Sequence, residues 1–291
     1  MIGFINVNKP SGITSSTVVS KIKKALKVKK VGHMGTLDPM ACGVLPIAVG
    51  KATRMFDYFL DKKKTYSAIF EFGYETDTLD KEGKKLFEGG KIPLLKDIKE
   101  TLPSFLGEID QIPPQYSAKS VGGVRAYKLA RQGKTAELTA KRITIYDMKV
   151  DKNDEKSYNF EIACSSGTYI RSICRDIAHK LGTFATMIYL QRTQSGRFDI
   201  QKAIKIEDIN LESVDNILVS VEEVFNKIPE FQVDKEEFSK LSNGLKIDVK
   251  DDKSMKVFVK NKNKLLGIGQ IGENKLKMVT NLADSSMQST I

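Results

Sequence analysis

The sequence predicts an α+β fold, with one large mixed unit and a small C-terminal β unit. Three observations carry this. Ile170, Ile173, Cys174, Ile177, Ala178 and Leu181 recur at i, i+3, i+4, i+7, i+8 and i+11, the stripe of an amphipathic helix. Residues 142–150 and 157–164 read as strands joined only by the polar turn 151–156, and no regular strand–helix–strand rhythm runs through the chain. Beyond Pro229, short strand-like pieces at 255–259, 265–271 and 275–279 are punctuated by Gly and Asn. A boundary is therefore expected between residues 1–228 and 229–291, with a frayed tail from 284.

In chain order, residues 14–27 form the first amphipathic helix, with Val18, Val19, Ile22, Ala25 and Leu26 at helical spacing. Its outer face continues into a cluster of Lys21, Lys23, Lys24, Lys27, Lys29 and Lys30. Residues 31–50 hold too much Gly and Pro for regular structure and too few charges for a solvated linker, so a buried or substrate-facing loop is expected. A helix over 52–60 precedes a strand at 66–72, where Tyr66, Ala68, Phe70 and Phe72 share one face. Another helix is expected over 95–106, then a basic, glycine-containing stretch over 113–142. Thr168 is placed to cap the helix described above and Gly182 to end it, with a strand over 184–190 beyond.

Among 291 residues, 47 Lys+Arg against 36 Asp+Glu leave a formal charge of +11, which favours a polyanionic partner such as a nucleic acid. At 41% hydrophobic residues the chain has enough apolar content for a substantial core, which excludes wholesale disorder. The first ten residues lack a basic region followed by an apolar stretch, and no segment reads as a membrane span, so neither export nor membrane association is expected. Cys42, Cys164 and Cys174 are odd in number and widely spaced, forming neither a CxxC pair nor a disulfide framework. With only His33 and His179 besides, a structural zinc site has too few ligands.

One carboxylate, Asp38, lies in a loop framed by Gly and Pro. Carboxylates held and desolvated by a scaffold act as nucleophiles or bases, while an Asx-type turn before Pro39 is the simpler local reading. The wider segment changes that balance. Gly32-His33-Met34-Gly35-Thr36-Leu37-Asp38-Pro39-Met40-Ala41-Cys42-Gly43-Val44-Leu45-Pro46-Ile47 resembles the catalytic signature of the TruB family of tRNA pseudouridine synthases. Lys9-Pro10-Ser11-Gly12-Ile13-Thr14-Ser15 resembles that family's first motif. Gly50-Lys51-Ala52-Thr53-Arg54, Lys64-Thr65-Tyr66, Thr76-Asp77-Thr78-Leu79-Asp80 and Gly167-Thr168-Tyr169-Ile170-Arg171 follow in the family's order. The resemblance is strong over about residues 1–225 and weak beyond.

The resemblance implies a pseudouridine synthase fold, a mixed and largely antiparallel central sheet with flanking helices, plus a reduced PUA-like β domain. It implies an isomerase that breaks the N1–C1′ bond of the T-loop uridine conventionally numbered 55 in tRNA, turns the base and rejoins it through C5, with neither metal nor cofactor. Asp38 is then the catalytic carboxylate; addition to the base, addition to the sugar and a glycal route are all compatible with it. A target hidden in a folded loop must be flipped into a pocket. Tyr66 matches the residue that stacks on the flipped base, Arg171 the arginine that orients the carboxylate, and Asp80 the carboxylate paired with that arginine. His33 matches a residue in the path of the RNA loop, and Tyr169 and Leu190 match the pocket wall. His179 is given no role.

RNA contacts are expected from Lys9, Lys64 and Arg192, and from the segment 115–142, which matches an insert closing over the tRNA arm and carries Lys119, Arg125, Lys128, Arg131 and Arg142. Gln191, Gln194 and Arg197 depart from the family pattern. The partner implied is the T stem-loop at the tRNA elbow, met by a cytoplasmic monomer that needs no protein partner. Assistance to tRNA folding is compatible with catalysis. The competing classes are a non-catalytic RNA-binding protein, disfavoured by Asp38, Tyr66, Asp80 and Arg171 together; a guide-RNA-dependent synthase, whose members lack the insert; and a metal-dependent nuclease, for which the ligands are too few.

Overall fold

The computed structural model describes residues 1–60, 63–251 and 253–283; the expected frayed tail from 284 lies outside the described residues. Strand β1 (Gly3–Lys9) leads into helix α1 (Ser15–Ala25), which starts where the Thr14 hydroxyl accepts the Thr17 N–H at 3.0 Å. Val18 and Ile22 turn inward, and Lys23 and Lys24 occupy the last turn, where cations favour the helix dipole.

Residues 31–50 differ from the expected loop. Val31–His33 form strand β2 and Cys42–Val49 form strand β3, so that only 34–41 is irregular. Every residue of β3 after Cys42 is buried, and a strand covered on both faces carries no alternation to betray it. Pro46 accepts the Met34 N–H at 2.8 Å just beyond the end of β2, so its missing donor falls at a ladder end. In place of one helix over 52–60, a 3-10 turn (Gly50–Met55) leads to α2 (Phe56–Leu60).

Strand β4 (Lys64–Phe72) alternates as expected, and its buried face begins at Lys64 and Tyr66. A hairpin of β5 (Tyr74–Thr76) and β6 (Lys85–Glu88) carries Asp80 in its turn, and Met187 fastens that turn to the main sheet through main-chain bonds with Leu79 and Lys81. Helix α3 (Leu95–Thr101) gives way to a 3-10 turn containing Pro103, so it is shorter than the segment 95–106. Strand β7 (Gly107–Gln111) precedes the insert, which holds β8 (Ser120–Val121), β9 (Val124–Arg125) and α4 (Ala126–Arg131).

Strands β10 (Lys141–Lys152) and β11 (Ser157–Cys164) follow, close to the ranges read from the sequence. Tyr169 rather than Thr168 holds the N-cap position of helix α5 (Ile170–Lys180), without a side-chain cap bond, and the Thr168 hydroxyl donates instead to the Ser165 carbonyl at 2.9 Å. Gly182 lies just past the end of α5 at φ 69°, a left-handed position that favours glycine. Strand β12 (Ala185–Ser195) runs past the expected 190, through an irregularity between Arg192 and Gln194. Short strands β13 (Phe198–Asp199) and β14 (Ile204–Lys205) and helices α6 (Val214–Ile217) and α7 (Val221–Val224) complete the large unit.

The main sheet runs β14-β1-β3-β12-β4-β11-β10-β7, with β2 on β3 and β13 on β12. Among the described residues of this sheet, only β1/β14 and β3/β12 are parallel strand pairs. Helices α1, α3 and α5 cover one face, where Ile22, Phe70, Phe160, Ile173 and Ile177 share the principal core. The C-terminal β domain holds β15 (Glu230–Gln232), α8 (Lys235–Ser242), β16 (Ile247–Asp248), β17 (Met255–Asn261), β18 (Lys264–Gly272) and β19 (Lys275–Asn281), in sheet order β15-β17-β18-β19-β16. Phe238, Leu241, Val257, Val259, Leu266 and Leu276 form its own core. A third cluster joins it to the large unit: Phe4, Phe59 and Phe225 pack with Phe258, Ile268 and Leu282, the Phe4 and Phe59 rings 5.1 Å apart. No helix among the described residues is long and apolar enough to cross a membrane.

Candidate active site

The segment 34–41 crosses a cavity of about 240 Å³ whose walls include Asp38, Lys64, Tyr66, Ser117, Tyr169, Arg171, Leu190 and Arg192. A wider groove of about 1120 Å³ lies between the two sheets, lined by Arg54, Tyr58, Arg197 and Lys256, but it holds none of the expected catalytic groups. The smaller cavity is the one where chemistry-bearing residues converge.

The backbone around Asp38 is held by the turn between β1 and α1. The Ser15 hydroxyl donates to the Leu37 carbonyl at 3.0 Å and accepts the Leu37 N–H at 2.9 Å. Gly12 N–H donates to Pro39 O at 2.9 Å, and the Ser11 hydroxyl to Met40 O at 2.7 Å. The Lys9 ammonium is buried and donates to the carbonyls of Pro10, Ile13 and Pro39 at 2.9, 2.6 and 3.1 Å. Burial, the largest cause, pushes its pKa down to about 8. The segment 9–15 is thus a clamp on both sides of the carboxylate.

Arg171, in the first turn of α5, organises the site. Its Nη2 stands 2.8 Å from Asp38 Oδ2 and its Nη1 3.4 Å from Asp80 Oδ2. The same nitrogens donate to Thr78 O at 2.9 Å and to Tyr116 O of the insert at 3.1 Å. The arginine side chain is 5% exposed and Asp38 34%, so the carboxylate keeps an open side toward the cavity. Asp80 is fixed by the Thr78 hydroxyl at 2.7 Å and the Glu82 N–H at 3.1 Å, both on Oδ1, which leaves Oδ2 for Arg171. Between them Leu79 sits at φ 62°, a left-handed conformation that a branched side chain adopts only under constraint.

Tyr66 faces the cavity from β4 and is 7% exposed; burial raises its hydroxyl pKa. Leu190 lies in the same wall. Tyr169 is clamped by the Gln111 side chain, which accepts its N–H at 2.8 Å and donates to its carbonyl at 3.1 Å. Burial raises the Tyr169 pKa as well. His33 stands at the end of β2, half-buried, outside the cavity lining, with Nδ1 buried and without a partner; burial, then the Arg192 charge, lower its pKa.

Several of the expected RNA contacts lie elsewhere than on the surface. Lys9 is corrected: it is 0% exposed and spends its donors on backbone carbonyls, leaving no face for a phosphate. Arg192 is 1% exposed and bonded to the carbonyls of Val44 and Gly35, so it faces the cavity wall rather than a phosphate at the surface. Lys64 is also buried, bonded to the Ser166 hydroxyl within the cavity wall. Arg142 is exposed, but its fork is taken by Asp110 at 2.8 and 3.2 Å. Lys119 is half-buried, and Arg125, Lys128 and Arg131 are exposed on the insert, together with the lysines of α1. Ser15, Thr78, Gln111 and Ser117 were not singled out by sequence reasoning. Ser15 and Thr78 lie inside quoted motifs, whereas Gln111 and Ser117 carry no local signal.

Residues 23–170 match the TruB family pseudouridylate synthase N-terminal domain, and residues 171–225 match the tRNA pseudouridylate synthase B C-terminal domain. A tRNA pseudouridine synthase B of Clostridium kluyveri is 41% identical over 287 residues, covering 96% of this chain and 99% of that protein. One of Clostridium tetani is 42% identical over 288 residues, again covering 96% and 99%. Among solved structures, a Cbf5-Nop10-Gar1 complex superposes with a TM-score of 0.69 at 26% identity, covering 97% of this chain and 84% of the matched one. An H/ACA RNP bound to a substrate RNA containing 2′-deoxyuridine gives 0.70 at 24% identity, with 97% and 85% covered, a likeness of fold. Ordered motifs that converge on one cavity and relatives aligned end to end agree: the chain belongs to the TruB family of pseudouridylate synthases.

Proposed function

We propose that this chain is a stand-alone isomerase that converts the T-loop uridine at position 55 of tRNA to pseudouridine, with Asp38 as the catalytic carboxylate. The observation that carries the reading is the Arg171 bridge, 2.8 Å to Asp38 and 3.4 Å to Asp80, beside Tyr66 in one cavity. The bridge orients Asp38 by a charge-assisted bond while leaving part of the carboxylate open. Tyr66 offers a ring on which an extruded base stacks, and Tyr169 and Leu190 close the wall around it. His33, at the mouth of the same loop, lies in the path of the RNA. The relatives' printed name, tRNA pseudouridine synthase B, supports tRNA as the substrate.

Phosphates of the T stem are bound by Lys119, Arg125, Lys128 and Arg131 of the insert and by the lysines of α1. Residues 1–228 act as the catalytic domain and 229–291 as a PUA-like domain that adds RNA contact. The enzyme works in the cytoplasm as a monomer, without a metal, cofactor or protein partner, and opening the tRNA elbow to flip the base also helps misfolded tRNA refold.

Tritium release from C5 of an unmodified tRNA transcript, with the purified chain alone, tests the reaction. Wild type should release about one tritium per tRNA, as a single pocket for one flipped base requires, and Asp38→Asn none, while binding tRNA normally. No release from a folded, tRNA-binding wild type would leave only the RNA-binding reading. Refolding of misfolded tRNA by Asp38→Asn tests the folding role separately.

A further inference from the structure

Arg192 is among the largest fully buried side chains of the molecule and lines the same cavity as Asp38 and Tyr66. Its Nε donates to Val44 O at 2.7 Å, Nη2 to Gly35 O at 3.2 Å, and Nη1 approaches Thr36 O at 3.5 Å. Among the described residues no carboxylate pairs with it, since Asp38 and Asp80 both pair with Arg171. Burying a cation without a counter-ion carries a large desolvation penalty. Carbonyl dipoles offset part of that cost, but they leave a full positive charge at the cavity wall. Its neighbours register it: Lys64 is pushed down to about 8 and His33 downward, by burial first and by the Arg192 charge second. At Tyr66 the same charge opposes the effect of burial.

An uncompensated charge in a reaction cavity is matched by whatever negative charge the reaction creates there. We propose that Arg192 is the electrostatic partner of the uracil while that base carries negative charge during isomerisation. When the N1–C1′ bond breaks, its electron pair stays on the base and spreads over N1, O2 and O4. C1′ is compensated either by a bond to an Asp38 oxygen or by loss of the C2′ proton. The turned base then forms the C5–C1′ bond as the Asp38 bond breaks or the C2′ proton returns. Finally the C5 proton leaves and N1 gains one, so atoms and charge balance without an oxidant or reductant. Addition of Asp38 to C6 instead also places the charge on the base, at O4. In each course the anion arises on the base in a cavity whose wall Arg192 forms, and a preorganised cation in a water-poor site is at its most effective there.

The inference rests on the pseudouridine synthase reading, and wild-type conversion of the uridine substrate establishes that reading before any variant is compared. The test is single-turnover cleavage of the N1–C1′ bond in tRNA carrying uridine or 5-fluorouridine at the target, followed by nucleoside analysis. Circular dichroism and tRNA affinity are measured alongside. Fluorine makes the departing base a weaker base, so its anion needs less stabilisation. Arg192→Gln should cleave the uridine substrate about 100-fold more slowly, with the deficit shrinking to about tenfold on 5-fluorouridine. Arg192→Lys, which keeps the charge, should recover most of the rate. A purely structural role slows both substrates by the same factor, and that result, or an unimpaired Arg192→Gln, overturns the proposal. If Arg192→Gln fails to fold, Arg192→Met takes its place alongside Arg192→Lys: a deficit larger on uridine than on 5-fluorouridine in either variant supports the proposal, and equal deficits on the two substrates overturn it.

Discussion

Lys64 opens β4 with its ammonium buried against Ser166, and burial followed by the Arg192 charge pushes its pKa from 10.5 down to about 8. In the unfolded chain the same lysine titrates at its ordinary value, so between about 8 and 10.5 the unfolded state holds the extra proton. Stability from this group therefore rises with pH across that window, and the penalty of a buried charge is fully present below it. The expected outcome is that wild type gains on Lys64→Met between pH 8 and 10, read as the difference in urea midpoints. A difference that stays flat would mean that Lys64 titrates as an ordinary lysine. Lys9 and Arg192 likewise carry charge into the interior and spend it on carbonyls of the segment 34–41 or its flanks. Residue type alone marks all three as surface cations.

At the scale of elements, the backbone that carries Asp38 and Arg192 is held where three separate pieces meet: the turn between β1 and α1, the segment 34–41, and the parallel contact of β3 with β12. Gly43 lies at that contact, at φ 98°, and a Cβ there would collide with the Arg192 carbonyl. Gly43→Ala should therefore cost more than about 2 kcal/mol, combining a left-handed backbone with a main-chain clash, and it should lower the catalytic rate by displacing Arg192. Chemical denaturation and single-turnover kinetics check the two halves of that expectation. The insert is tied to the same centre. Gln115 exchanges two bonds with Ala136 at 2.9 and 3.0 Å, closing the base of the insert, while Tyr116 O accepts from Arg171. A shift of the insert is thus felt by the arginine that orients Asp38.

At the scale of the whole molecule, the +11 charge is not spread evenly in use: part is buried around the cavity, part is paired, and part is exposed on α1 and the insert. Only the exposed, unpaired part should answer to salt. Replacing Arg125, Lys128 and Arg131 together by Gln should reduce the slope of log tRNA affinity against log salt by about two, at 0.7–0.9 per phosphate contact. Arg142→Gln should leave the slope nearly unchanged, because Asp110 already holds that fork. Equal effects from the two variants would refute the distinction. What the sequence determined by itself was whatever is written in local order. The helix stripe of α5, the alternation of β4 and the hairpin of β10 and β11 were legible there, and the resemblance of the motifs pointed to Asp38, Tyr66, Asp80 and Arg171, which the fold brings together. Strand β3 was not, because burial on both faces erases the alternation that announces a strand. Nor were the inward turn of Lys9 and Arg192, the clamp of Ser15 on Leu37 or the clamp of Gln111 on Tyr169. Each of these depends on a partner far away in the chain, and only tertiary packing brings a donor and its carbonyl within 3 Å and decides which charges water reaches.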